Sequence, residues 1–164
     1  MINKKEFDLL TKKEKRVEIC KDVIARLKAQ TILPHEGSFM YTYLPQNEQN
    51  SMQVAINSKP CSVCAKGALF CSWVGNFNEV TQTQFYDESS LEEVQNLKVI
   101  VPELVKIFGK KMLDRIEAVF EQESYGWHFD SEDTEKYVDA FPEWELMDIM
   151  KYIVKNKGTF PLPD

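Results

Sequence analysis

The segment Cys61 to Val74, CSVCAKGALFCSWV, constrains this chain more than any other stretch. It is apolar on nearly every side, and a helix that is apolar all round has to be buried. Ser58-Lys59-Pro60 stands in front of it. Serine is a good helix cap, and proline suits a first turn where no backbone N–H is required. Gly75-Asn76 supplies a stop. The spacing therefore predicts a central buried helix over 61–74. Gly67 in mid-helix costs about 1 kcal/mol relative to alanine. With Ala65 and Ala68 beside it, the expected return is close approach by another element.

Around that helix the pattern is mainly helical. Thr11 and Glu14 have capping-box spacing, and Val17, Cys20, Val23, Ile24 and Leu27 recur at helical intervals. A helix is expected over Thr11 to Ala29, with Lys13, Lys15, Lys21 and Lys28 as a solvated basic face. Ser38 to Leu44 and Met52 to Ile56, separated by a polar loop, read as a β-hairpin over 38–57. Ser89 and Ser90 precede Glu92 and Glu93 at capping distance, so a short helix to Leu97 is expected. Further helices are expected over Glu103 to Phe108 after Pro102, over Lys110 to Glu121, and from Pro142 to Asn156, where Gly158 ends the run. Tyr125 to Thr134 reads as a loop. The fold class is α+β, mainly α: five or six helices around the 61–74 helix, with one small hairpin. At 164 residues this is one domain, 1–164, with tails at 1–8 and 159–164.

No apolar run reaches the roughly 20 residues of a membrane span. The polar start, Met1 to Phe7, has no apolar stretch behind it and is not a secretory signal. The expected setting is the cytoplasm, with Cys20, Cys61, Cys64 and Cys71 as reduced thiols.

Cys61 and Cys64 form a Cys-x-x-Cys pair. Structural zinc takes four Cys/His ligands in two paired groups, and there is no second pair at ligand spacing. A redox motif wants a βαβ unit, which the pattern does not supply. A nucleophile is the sharper alternative, because a cysteine in a helix's first turn gains thiolate character from the free N–H groups and the helix dipole. It needs a base, and His128 or His35 is the choice. The commonest reading of such cysteines remains small thiols packed in a core. No metal or other cofactor is expected.

The net charge of −6 is unevenly spread: residues 1–30 carry a balance of +4, and residues 114–148 one of −10. Tyr125, Trp127, Phe129, Tyr137, Phe141 and Trp144 interleave that acidic block. Such a balance argues against direct nucleic-acid binding, which rests on neutralising phosphates. The run Asp130-Ser131-Glu132-Asp133-Thr134-Glu135 lacks the glycine of a calcium loop. It is either a solvated acidic face or, with Trp127, a surface for a basic partner. The candidate binding residues are Trp127, Asp130, Glu132, Asp133 and Glu135. Glycine-rich phosphate loops, Gly-x-Ser-x-Gly and His-Glu-x-x-His are absent from the sequence.

Cys61-Ser62-Val63-Cys64-Ala65 resembles the start of the nucleophile helix in papain-like cysteine proteases, which would make Cys64 the nucleophile. Three longer stretches resemble a group of small phage and bacterial proteins. They are Cys61 to Phe70; Phe108-Gly109 with Leu113, Ile116-Glu117 and Phe120-Glu121; and Leu146 to Phe160 with Ile149-Met150, Ile153, Asn156 and Gly158. That resemblance implies a phage or mobile-element setting and no catalytic residues. The expectation is a non-enzymatic interaction factor, a phage accessory or anti-defence protein that binds a host or phage protein. The alternative is a cysteine-dependent hydrolase or transferase using Cys61 or Cys64 with His128.

Overall fold

The structure is a computed structural model that describes residues 1–37, 39–41, 51–77, 80, 101–122 and 132–164. It is mainly helical with one small sheet. The elements in order are α1 (Lys4–Asp8), α2 (Lys12–Lys28), β1 (Ile32–Pro34), β2 (Met40–Tyr41), α3 (Met52–Ser58), β3 (Cys61–Val63), α4 (Ala65–Phe77), α5 (Pro102–Phe108), α6 (Lys110–Glu121), α7 (Glu132–Ala140) and α8 (Leu146–Lys155).

Several helices lie close to where the sequence places them, although α8, expected from Pro142, begins at Leu146. Thr11 and Glu14 close a reciprocal capping box at the start of α2. Pro102 opens α5, and α6 runs to Glu121. Beyond α8, Gly158 takes a φ of +80° and donates its N–H to the Ile153 carbonyl. The eight helices among the described residues exceed the five or six expected. Helices α1, α3 and α7 are the additions, while the one expected near 89–97 lies outside the described residues. Residues 1–8, expected as a tail, contain α1, whose Phe7 is fully buried against the rings of Trp73 and Phe77.

Two expectations are corrected. The hairpin over 38–57 is not formed, because Met52–Ser58 is helical. Met52, Ala55 and Ile56 are buried and Val54 is 62% exposed. The same residues satisfy a helical i, i+3, i+4 face, and α3 lays that face on α4. The helix expected from Cys61 begins instead at Ala65, and Cys61–Val63 is a strand. Pro60 accounts for this. The residue before a proline is pushed into extended backbone, and Lys59 has φ −141° and ψ 151°. The extended chain then pairs rather than coils. β3 lies between β1 and β2, parallel to the first with Ile32 opposite Cys61, and antiparallel to the second with Met40 opposite Val63.

Every residue of α4 from Ala65 to Gly75 is buried. Helices α2, α3 and α6 pack on it, α8 packs on α2, and α7 on α6. The apolar cluster runs from Phe7 to Phe160. Gly67 is required by space: a Cβ there would sit 1.7 Å from the Phe39 carbonyl oxygen. That carbonyl accepts the Cys64 N–H at 3.2 Å, so the close approach brings the residue preceding β2 onto the start of α4.

Candidate functional site

The start of α4 is where the cysteine pair was expected to act, and its polar groups are already engaged. A helix leaves its first N–H groups without intrahelical partners. Here the Gly67 N–H donates to Cys64 Sγ at 3.4 Å, and the Lys66 N–H donates to Glu117 Oε2 at 2.8 Å. Cys64 thus stands at the cap position. Cys61 lies on β3 with its thiol 3.6 Å from the Lys59 carbonyl. Cys20, Cys61, Cys64 and Cys71 are all 0% exposed. The Cys71 thiol is pushed well above its usual range, first by its hydrogen bond with Cys61 and then by burial. Burial likewise pushes the Cys20 thiol up. These are the conditions of packed thiols rather than thiolates. His35 is exposed, and its backbone N–H donates to the Val63 carbonyl at 2.8 Å. His128 lies outside the described residues.

A buried charge cluster, unmarked by any sequence motif, surrounds that cap. Lys66 is fully buried, and Glu117, Glu121 and Asp114 are at most 9% exposed. Lys66 Nζ stands 3.5 Å from Asp114 Oδ1, and Lys110 Nζ stands 2.6 Å from Asp114 Oδ2. Glu121 accepts the Gly37 N–H with both carboxylate oxygens at 3.0 Å. Gly37 has a φ of +80°, which only glycine adopts without strain. The signal was present in the sequence: Asp114, Glu117 and Glu121 recur at i, i+3 and i+7 on α6, and Lys66 interrupts an apolar run. An acidic stripe on a helix normally faces water, so the pattern alone points the wrong way.

The acidic block divides. Trp127 and Asp130 lie outside the described residues. Glu132 starts α7. Asp133 is held by Arg115 through two hydrogen bonds, at 2.7 and 2.9 Å, which keep its carboxyl below the usual range. The Arg115 guanidinium also sits 4.8 Å above the Tyr137 ring. Glu135 is exposed. Tyr137 and Phe141 are core residues, and the Tyr137 hydroxyl donates to the Phe160 carbonyl at 2.7 Å.

The end of the block, Glu143 to Glu145, meets a cleft of about 570 Å³. Its apolar side includes Leu27, Phe120 and Met147, and its rim carries Glu36, Glu143 and Glu145. Trp144 lies between them and is held by the rings of Phe141, at 4.5 Å, and Tyr152, at 5.2 Å. Two lining residues have backbone in the left-handed region: Gln122 at φ +49° and Glu143 at φ +60°. Non-glycine residues hold such angles at a cost, and they concentrate where a site must be shaped. Gln122 fixes the floor by donating Nε2 to the Phe141 carbonyl at 3.0 Å. Glu36, from the end of β1, could not be linked to Glu143 and Glu145 in the sequence, because 107 positions separate Glu36 from Glu143 and only the fold closes them on one cleft.

Comparison with protein-family models, with curated proteins and with solved structures found no match for the chain.

Proposed function

We propose that this chain is a non-enzymatic protein-interaction factor whose partner engages the cleft around Trp144. The observation that carries this reading is the cleft: a rigidly packed tryptophan beside apolar walls, with carboxylates at the rim. Aromatic side chains in such surroundings supply most of the binding energy at protein interfaces. The buried α4 is the central element of this reading, the support on which α2 and α6, contributors to the cleft walls, are packed. The resemblance read in residues 61–70, 108–121 and 146–160 is the basis for proposing a host or phage protein in the cytoplasm as the partner class, and a phage accessory or anti-defence role as part of the same proposal. The thiol-enzyme alternative has no comparable support, since Cys61 and Cys64 are both 0% exposed.

The test starts from the intact chain immobilised against bacterial lysate, with the retained protein identified, purified and titrated. Trp144→Ala is expected to weaken that complex at least tenfold. Glu143→Lys, which alters only an exposed side chain, is expected to do the same and covers the case in which Trp144→Ala unfolds. Affinity unchanged from the parent chain in both variants, or no stoichiometric partner, overturns the reading. Iodoacetamide is expected to label Cys61 and Cys64 only after unfolding. Labelling of the native protein at neutral pH would return the argument to thiol chemistry.

A further inference from the structure

We infer that the cleft takes an arginine side chain of the partner protein. This rests on the interaction reading above and goes further by naming the chemistry recognised.

Charge decides first. Glu36, Glu143 and Glu145 line the cleft, and among the described residues no lysine, arginine or histidine does so. The opposing contribution is the N-terminus of α8, worth about half a positive charge. That end is already met by Asp148, whose Oδ2 accepts the Glu145 N–H at 3.0 Å. The field in the cleft is therefore negative, and the ligand is a cation. A bare metal ion does not fit, because among the described residues no three His, Cys, Asp or Glu side chains converge closely enough to hold one.

Shape decides next. A volume of about 570 Å³ falls within the roughly 300–1,000 Å³ of ligand pockets and exceeds what one small cation fills. Leu27, Phe120 and Met147 offer an apolar wall to an aliphatic stem. The Trp144 ring, held by Phe141 and Tyr152, offers a fixed face for a planar cation. Guanidinium combines a planar stacking surface with paired donors for carboxylates, which an ammonium group does not. The chain uses the same combination internally, where Arg115 lies over Tyr137 and pairs with Asp133.

The probe is the peptide acetyl-Leu-Arg-Leu-amide, with its citrulline counterpart as a neutral control of nearly identical shape. The readout is the indole N–H resonance of Trp144 in the full-length protein, assigned among the three tryptophans by Trp144→Phe. The arginine peptide is expected to shift that resonance saturably, and the citrulline peptide to bind at least tenfold more weakly. The triple variant Glu36→Gln, Glu143→Gln, Glu145→Gln is expected to stay folded, with a small fall in unfolding midpoint from the altered capping box at Glu145, and to lose the arginine preference. No shift up to millimolar peptide, equal binding of the two peptides, or an unchanged preference in the triple variant overturns the inference. The two proposals separate cleanly: a partner that depends on Trp144 but binds the triple variant equally well leaves the interaction reading standing and removes the arginine.

Discussion

Asp114, Glu117 and Glu121 on α6 turn inward, whereas Glu36, Glu143 and Glu145 stand exposed around a cleft. The two sets contain the same chemical group in opposite surroundings. The inner set is bound to backbone and cation: Glu117 to the Lys66 N–H, Asp114 to Lys66 and Lys110, and Glu121 to the Gly37 N–H. Burying a carboxylate costs several kcal/mol unless it is compensated in this way. The outer set is exposed to solvent, and only Glu145 among it has a described backbone partner, in the capping box of α8. The inner carboxylates therefore bear on the stability of the fold, and the outer ones, on the reading proposed above, on what the chain binds.

The largest effect should come from the inner set's cation. Lys66→Met keeps the side-chain volume and the backbone bond to Glu117 but takes from Asp114 its buried cation, leaving it only the exposed Lys110. Removing one partner of a buried ionic group costs about 3–5 kcal/mol, which a urea titration would register as a large fall in midpoint. A change under about 1 kcal/mol would break the comparison, because the inner carboxylates would then be solvated like the outer ones.

Glu121→Ala should cost less, about 1.5–3 kcal/mol for a hydrogen bond made to a charged group. It also links the two sets. Glu121 fixes Gly37, and the preceding residue is Glu36 on the cleft rim. Partner affinity should therefore fall together with stability in Glu121→Ala. A loss of stability with affinity intact would separate the two sets completely.

The sequence made much of this legible, for local reasons. Helix α2 could be read because Thr11 and Glu14 close a capping box within four residues, and α8 because Gly158 stops it. Non-local pairing could not be read. β3 exists because Cys61 finds Ile32 across the sheet, which no period within 61–74 reveals. Met52 to Ile56 fits both a strand and a helix, and packing against α4 decides for the helix. The cysteine pair drew attention through its spacing, yet Cys64 serves as a helix cap. Of the acidic block, the sequence exposed the charge and the aromatics, Trp144 included. It did not expose which carboxylates turn inward, because that depends on where Lys66 and Gly37 arrive.

Asp133 falls between the two sets and gives the finest test. Its side chain is 45% exposed, like the outer carboxylates, yet it is paired to Arg115 like the inner ones. The Arg115 hydrogen bonds hold its carboxyl below the ordinary range, so the folded state binds its proton less readily than the unfolded chain. The stabilisation is then fully present above the unfolded value, near 3.9 for aspartate, and is lost as pH falls through the lowered folded value. Solvent screening limits an exposed pair of this kind to about 0.2–1 kcal/mol. Asp133→Asn should therefore lower the unfolding free energy by that amount at pH 7, and the gap to the unmodified chain should close as the acid limb is reached. A gap that persists at the foot of the acid limb would assign the effect to side-chain packing rather than charge. A gap of several kcal/mol at pH 7 would place Asp133 with the inner carboxylates.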